Sequence, residues 1–446
     1  MNINKKVMAV CTLFILRVIL TVIFVCFLSS TINAQRYLTD FDSTLFIRDT
    51  LRPLVKRFEN LHISGYIQPQ YQIAAQKGIE SFSGGNFSKF SDNRFMLRRA
   101  RLKIDYVLPT KNNTFPQALF TFQFEATERD VNVRDMYVRL YEPKKKNFSM
   151  TMGLFARPFG YEVNLSSSFR ETPERGRASQ ILMPSERDLG AMITYESQNK
   201  ARKNPLFKFD IGVFNGQGKS GPAEFDSYKD LISRVYLKPL PLSKTLSLSG
   251  GLSLLRGGWA QANKLKYQIS EDNGNKFFKV DSSIENINDK APRHYYGSDA
   301  QLIYKHDWGK AEIRGEYWRG TQPGTATTTI NPGTLPTTPT YMRNFDAAFI
   351  YFLQNIINEK WEVMAKYDWY DPNVKVKTNE IGKAGTNLTI ADVRYRTYGF
   401  GLTRYFTGNF KMLAYYEIVH NETTGLNNFQ NDIEDNVFTL RMQFRF

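Results

Sequence analysis

The chain has 446 residues and carries 59 Lys and Arg against 43 Asp and Glu, a net charge of +16, with 34 Phe and 24 Tyr. Its two cysteines, Cys11 and Cys26, both lie near the N-terminus, so cysteine-based catalysis, a cysteine-ligated metal and a disulfide framework are excluded for the remainder. Beyond residue 34 no apolar run approaches the ~20 residues that a membrane-spanning helix needs, which excludes a helical membrane protein as well.

At the N-terminus, Lys5 and Lys6 precede an apolar run from Val7 to Leu28 that Arg17 interrupts, leaving Val18 to Leu28 as an h-region before Ala34-Gln35. This pattern reads as a signal peptide over residues 1–34, cleaved on export. A retained anchor would place Arg17 in hydrocarbon at high cost, and the bulky Val25 before Cys26 argues against a lipoprotein leader. Cleavage removes three basic residues and no acid, so the mature chain of 412 residues keeps a net charge of +13. Such an excess suits nucleic acid, an anionic membrane surface or anionic solutes. An exported chain meets little nucleic acid, which leaves lipid and small anions as the expected partners. Over residues 35–60, Leu51, Leu54, Val55 and Phe58, with Leu61, recur at helical spacing, so a short periplasmic helix is expected there.

From residue 61 the pattern changes to alternation. Sixteen segments read as strands: 61–75, 93–108, 116–128, 131–142, 147–158, 188–198, 206–216, 229–240, 244–257, 294–306, 309–321, 342–356, 359–371, 395–407, 409–421 and 435–446. Each is long enough for the ~9 to 11 tilted residues that cross a bilayer. On the second, Ala100, Leu102, Ile104 and Tyr106 share one face while Arg99, Arg101, Lys103 and Asp105 share the other. Side chains alternate sides of a strand, and a charge facing lipid costs about 2 to 4 kcal/mol at the midplane, so the charged face points inward. The third strand repeats this, with Phe120, Phe122 and Phe124 outward and Thr121, Gln123 and Glu125 inward. The connections sort by length. Links 76–92, 159–187, 217–228, 258–293, 322–341, 372–394 and 422–434 are long, whereas those alternating with them are short. One long-side link, near Arg129-Asp130, is short. The expected fold is all-β: a transmembrane up-and-down antiparallel barrel of sixteen strands over 61–446, with long extracellular loops and short periplasmic turns in a Gram-negative outer membrane. The chain closes on V-F-T-L-R-M-Q-F-R-F, whose apolar face ends at Phe446. It resembles the C-terminal signal through which outer-membrane barrels engage their assembly machinery.

Inside such a barrel, arginines gather in the first half at Arg99, Arg101, Arg139, Arg157 and Arg234, with Lys103, while in the second half the acids Asp299, Glu312, Glu316, Glu362 and Asp368 gather on inward faces with Lys305, Arg314 and Lys366, so the lumen is not uniformly basic. Walls of unlike sign set a transverse field if the charges stay free, and set little selectivity if they pair across neighbouring strands. Sixteen strands enclose more space than side chains fill, and the loop 159–187, with Arg170, Arg175, Arg177 and Arg187, is expected to fold inward and narrow it. Guanidinium groups there suit carboxylate and phosphate geometry. The alternative is a solvated loop with internal salt bridges.

R-R-A-R-L-K-I-D-Y at 98–106, G-L-F-A-R-P-F-G-Y-E at 153–162, P-S-E-R-D-L-G-A-M at 184–192, G-V-F-N-G-Q-G at 212–218, Y-G-S-D-A-Q at 296–301, R-G-E-Y-W-R-G at 314–320 and Y-D-W-Y-D-P-N at 367–373 occur in this order. In them the chain resembles the phosphate-selective porin O and P family of Gram-negative outer membranes. The resemblance implies a barrel, homotrimeric, that passes small anions by diffusion along an arginine-lined path, with Arg99, Arg101 and Lys103 on the basic strand and Arg157 and Arg187 beside the inward loop. The chain departs from the phosphate-specific members in having no lysine cluster in 159–187, where arginines interleave with Glu171, Glu174 and Glu186.

A hydrolase would need a histidine beside a nucleophile or acid. His62, His294, His306 and His420 fall near predicted strand ends in no triad or metal-ligand spacing. The expectation is no enzyme, no cofactor and no metal. Two further readings stay open: a general, non-selective porin, and a surface or adhesin barrel that uses 258–293 and 320–341 as recognition elements, the latter a Thr/Pro-rich, mobile exposed segment.

Overall fold

Alternation of apolar and polar residues builds a wall whose two faces meet different surroundings. In the structure, a computed structural model, residues 59–110, 116–144, 147–196, 206–219, 221 and 224–446 are described. The expected leader over 1–34 and nearly all of the helix expected over 35–60 lie outside them.

The strands are β1 (Leu61–Ala74), β2 (Asn93–Pro109), β3 (Pro116–Ala126), β4 (Val131–Tyr141), β5 (Phe148–Ala156), β6 (Arg187–Tyr195), β7 (Phe207–Phe214), β8 (Asp230–Pro241), β9 (Leu246–Ala260), β10 (Lys266–Asp272), β11 (Asn275–Asp281), β12 (Lys290–His306), β13 (Gly309–Gly324), β14 (Thr340–Ile356), β15 (Asn358–Asp371), β16 (Tyr395–Tyr405), β17 (Phe410–Asn421) and β18 (Val437–Arg445). Neighbours in sequence pair antiparallel around the wall. β9 pairs directly with β12, passing over β10 and β11, and β1 closes on β18 with Tyr66 opposite Arg445 and Ala74 opposite Val437. The wall is therefore a closed antiparallel barrel of 16 strands. All sixteen expected segments are present, with ends that differ by a few residues.

The outer face is apolar and exposed, as at Ile193 (51%), Leu252 (66%) and Phe352 (44%). Hydrophobic exposure on this scale suits a surface solvated by lipid. The inner face is polar on β1, β2 and β18, with Gln68, Gln70, Gln72, Arg99, Arg101, Thr439 and Arg441 buried. It is apolar on β14, where Phe345, Ala347, Phe349, Tyr351 and Leu353 are buried.

Three features depart from the sequence reading. First, β10 and β11 form a hairpin within the long 261–289 connection, turning at Asn273 (φ 47°) and Gly274 (φ 77°). These are the left-handed conformations that a two-residue type I′ turn requires. Second, the Thr/Pro-rich connection 325–339 is only partly exposed: Thr329 and Asn331 are buried, and the backbone N–H of Asn331 donates to the Ile181 carbonyl at 3.1 Å. Hydrogen bonding of its backbone and amides offsets the cost of burying these polar residues. Third, β4 carries a bulge: Gln123 faces Asp135 but Phe124 faces Val133, so Arg134 is the extra residue. A bulge re-aims a side chain, and both Arg134 and Asp135 are buried.

Candidate functional site

The chain leaves β5 and turns into the barrel at Gly160, whose φ of 67° is left-handed and where a Cβ would strike the Glu316 carboxylate. Only glycine fits that approach. Glu316 on β13 accepts the backbone N–H groups of Tyr161 at 3.0 Å and Glu162 at 2.9 Å, and the Trp318 indole N–H at 2.6 Å. Glu162 in turn accepts the Gly176 N–H at 2.8 Å and the Ser179 hydroxyl at 2.7 Å, and receives the Tyr351 hydroxyl. It thereby fixes the start of a six-residue helix, α1 (Arg177–Leu182). One face of this inward loop is apolar: Phe159, Val163, Ile181, Leu182 and Met183 pack with Leu255 of β9, Tyr295 of β12, Trp318 of β13, and Phe345 and Phe349 of β14. Phe159 meets Trp318 edge-on, ring centroids 4.9 Å apart.

The opposite face is ionic. Glu174 at the loop tip is held by Arg99 at 2.5 Å, Arg98 at 2.8 Å and Arg441 at 3.2 Å. Arg99 binds both carboxylate oxygens, the bidentate fork geometry that makes such pairs strong. Arg441 also donates to the Pro173 carbonyl at 2.7 Å. Glu186, where the loop rejoins the wall, is shared by Arg187 at 2.6 Å, Arg175 at 3.1 Å, Arg170 at 3.7 Å and the bulge residue Arg134. Arg101 and Arg134 share Glu125, at 2.5 and 3.0 Å, and Arg187 also binds Asp135 at 3.0 Å. Eight arginines thus share four carboxylates in one sector of the interior. Burial pushes the Glu174 carboxyl up, but Arg98, Arg99 and Arg441 outweigh it and hold the group well below the usual range. Glu186 is held down in the same way by Arg134, Arg175, Arg187 and Arg170 against its burial.

Of the ten basic residues singled out in the sequence, Arg99, Arg101, Arg170, Arg175 and Arg187 meet in this network. Arg187 is the first residue of β6 rather than part of the loop. The other five stand elsewhere. Lys103 pairs with Asp105 at 2.7 Å and is a third exposed; Arg139 donates to Thr151 at 2.9 Å. Arg234 pairs with Asp299 at 2.8 Å on the β8 to β12 side. Arg157 lies just beyond β5, fully buried, donating to the Ser185 carbonyl. Arg177 stacks on Tyr395 and Phe82, its guanidinium 3.4 and 4.5 Å from the ring centroids. Sequence reasoning missed Arg98, Arg134 and Arg441 as members. Arg441 was legible from the alternation of the final strand; Arg134 was not, because nothing local announces the bulge. On the second-half wall, Arg314 pairs with the loop residue Glu171, and Lys366 with Asp368 at 2.5 Å, so the two halves of the barrel are not purely of opposite sign.

No protein-family model matches the chain, and no curated protein is similar to it. Among solved structures, the outer membrane channel DcaP of Acinetobacter baumannii matches with a TM-score of 0.50 at 12% identity, over 86% of this chain and 97% of that one. A loop-deletion mutant of OmpT, an outer membrane protein of Vibrio cholerae, matches with a TM-score of 0.48 at 11% identity, over 86% and 99%. A mutant of the Rh. blastica porin matches with a TM-score of 0.41 at 11% identity, over 86% and 100%. At such identities the likeness is one of fold, and the fold that DcaP shares with this chain is a closed antiparallel β-barrel.

Proposed function

We propose that the chain is a Gram-negative outer-membrane porin that passes small solutes by passive diffusion and prefers anions. The observation that carries this reading is the imbalance inside the barrel, where Arg98, Arg99, Arg101, Arg134, Arg170, Arg175, Arg187 and Arg441 have, among the described residues, Glu125, Glu174, Glu186 and Asp135 as ion-pair partners. Pairing leaves a surplus of guanidinium charge in a low-dielectric interior, where it attracts anions more strongly than in water. Donors are also left over: Arg134 Nε, and Arg170 Nε and Nη1, are buried without a hydrogen-bond partner among the described residues. An arginine offers five N–H groups and no acceptor, so phosphate or carboxylate oxygens suit these positions. Several weak sites in series let a solute leave again.

Phosphate as the preferred solute, membership of the phosphate-selective porin O and P family and a homotrimeric assembly rest on the sequence resemblance, and the proposal includes them on that basis. Export by the 1–34 leader, read from its basic and apolar pattern, and assembly through the strand ending at Phe446, read from its likeness to the C-terminal signal of outer-membrane barrels, complete the proposal. A general, non-selective porin is the second reading, favoured by the fact that Arg99, Arg101 and Arg187 each already have a carboxylate partner. Liposome swelling separates the two. Proteoliposomes should admit a small organic anion faster than a neutral sugar or a cation of equal size, and added phosphate should slow that entry. Equal rates for all three would leave the general porin.

A further inference from the structure

Arg256, His294, Tyr296 and Arg319 take no part in the lumen. They stand on the outer face at the long-loop ends of β9, β12 and β13, where their chain neighbours Leu255, Tyr295 and Trp318 point inward and are buried. Arg256, Tyr296 and Arg319 are exposed and His294 is half-buried. Register brings the four together: Arg256 faces His294 across β9 and β12, and Tyr296 faces Arg319 across β12 and β13. Arg256 reaches diagonally to donate to the Tyr296 hydroxyl at 2.7 Å, so one guanidinium is drawn toward the tyrosine that the other arginine faces. Lys290, at the start of β12 and on the same face, adds an ammonium group above them.

The charges of this patch have no counter-charge in the chain. Arg256, Lys290 and Arg319 have no carboxylate ion-pair partner among the described residues. Asp346, opposite Arg319 in register, instead accepts the Trp369 indole N–H at 3.2 Å. Like charges on adjacent strands repel, and an arginine on the lipid side is tolerated only near the interface, where its cost falls away. The exposed Tyr296 and Tyr317 mark that level, since tyrosines gather where hydrocarbon meets headgroups. Deeper in the membrane the same faces of β9 and β13 carry Leu252 and Ile313, both exposed. On β4, β6 and β7 the outward residues at the corresponding ends are Val131, Leu189 and Val213, so the basic patch is local to its own sector of the wall. An anion here meets two guanidinium forks, whose planar donors match phosphate oxygens, with an apolar surface directly beneath.

We propose that this patch binds a phosphorylated glycolipid of the outer leaflet, its phosphate held by Arg256 and Arg319 beside the Tyr296 hydroxyl and its acyl chains lying on Leu252 and Ile313. The proposal rests on the barrel's place in an outer membrane and on no property of the lumen. The test is native mass spectrometry of the purified protein in detergent, titrated with bisphosphorylated lipid A, with the same lipid stripped of phosphate, and with inorganic phosphate as competitor. Lipid A should bind, the dephosphorylated lipid at least about tenfold more weakly, and inorganic phosphate should not displace it. Arg256→Gln and Arg319→Gln should each weaken lipid A binding about tenfold, and Arg319→Lys, which keeps the charge and loses the fork, should fall between. Arg404→Gln, outward on β16 at its short-turn end with the guanidinium 4.4 Å from the Trp361 ring, should change nothing. Heat-modifiable mobility and unchanged conductance show that each variant is folded. Affinity of the folded arginine variants equal to that of the unaltered protein, or equal binding of the two lipids, would overturn the site. Displacement of lipid A by inorganic phosphate would overturn the lipid in favour of a free anion. Either result leaves the channel reading standing, whose own failure would show as a barrel that binds lipid A and does not conduct.

Discussion

Around β2, β4 and β18 the inward loop meets guanidinium groups; around β9, β12, β13 and β14 it packs chiefly on apolar and aromatic side chains, although Arg314 of β13 also binds Glu171. The ionic side fixes the loop at a few points, chiefly Glu174 and Glu186, and its strength depends on keeping each carboxylate charged and each arginine in place. The apolar side holds the loop over a broad surface, in which Phe159, Ile181 and Met183 share contacts with Tyr295, Trp318 and Phe349. Dispersion and burial there are insensitive to charge. The difference assigns separate work to the two sides. Packing on the apolar side sets where the loop sits, and the arginines on the other set which solutes find the remaining space favourable.

Substitutions on either side should therefore separate stability from selectivity. Glu174→Gln has the largest expected effect on both: removing a carboxylate that three arginines share costs about 3 to 5 kcal/mol, read from denaturant unfolding, and should raise the anion preference because those arginines lose their counter-charge. A lowered preference would mean that Glu174 itself belongs to the solute path. Phe349→Ala should cost a similar 3 to 5 kcal/mol by leaving a cavity beneath the loop, yet leave the ion preference of surviving channels unchanged; a shift in preference would break the division. Acid offers a reversible version of the first experiment. The Glu174 and Glu186 carboxyls sit well below their ordinary value of 4.5 when folded, so their contribution is complete above that value and is lost as the pH falls through the depressed folded values. Through these two groups, conductance and unfolding midpoints should not change from pH 7 to 5 but only below about 4, the range in which unfolded glutamates titrate, whereas Asp435, which burial pushes up to about 6, titrates within that window. A change between pH 7 and 5 would point to other groups. The smallest effect is expected for Lys103→Ala, on the same face as Arg99 and Arg101 but a third exposed and paired within its own strand to Asp105. It should cost less than about 1 kcal/mol and shift selectivity little.

Much of this was legible in the sequence, because a barrel wall has period two throughout and a charge facing lipid is expensive. Arg99, Arg101 and Glu125 could be aimed inward on that ground alone. The partners of those arginines could not be named, since pairing of Arg99 with Glu174 joins residues 75 apart through a loop whose path alternation does not describe. Arg134 was hidden by its bulge. The β10–β11 hairpin was hidden by context: Asn273-Gly274 between alternating segments is a strong turn signal, but it lay inside a stretch read as a single surface loop. The connection 325–339 was misread because Thr, Pro and Gly describe an absence of strand or helix and say nothing about burial. Its Asn331 and Thr329 find partners only once the barrel has brought Ile181, Gly216 and Tyr370 beside them.

The claim that one sector of the interior carries surplus positive charge is tested most directly by the reversal potential of the purified protein in a planar bilayer under a KCl gradient. The arginine excess predicts a reversal on the chloride side, displaced further by Glu174→Gln. A reversal at zero, or on the potassium side, would mean that Glu125, Glu174, Glu186 and Asp135 neutralise the sector as far as a passing ion can sense, and would contradict the account.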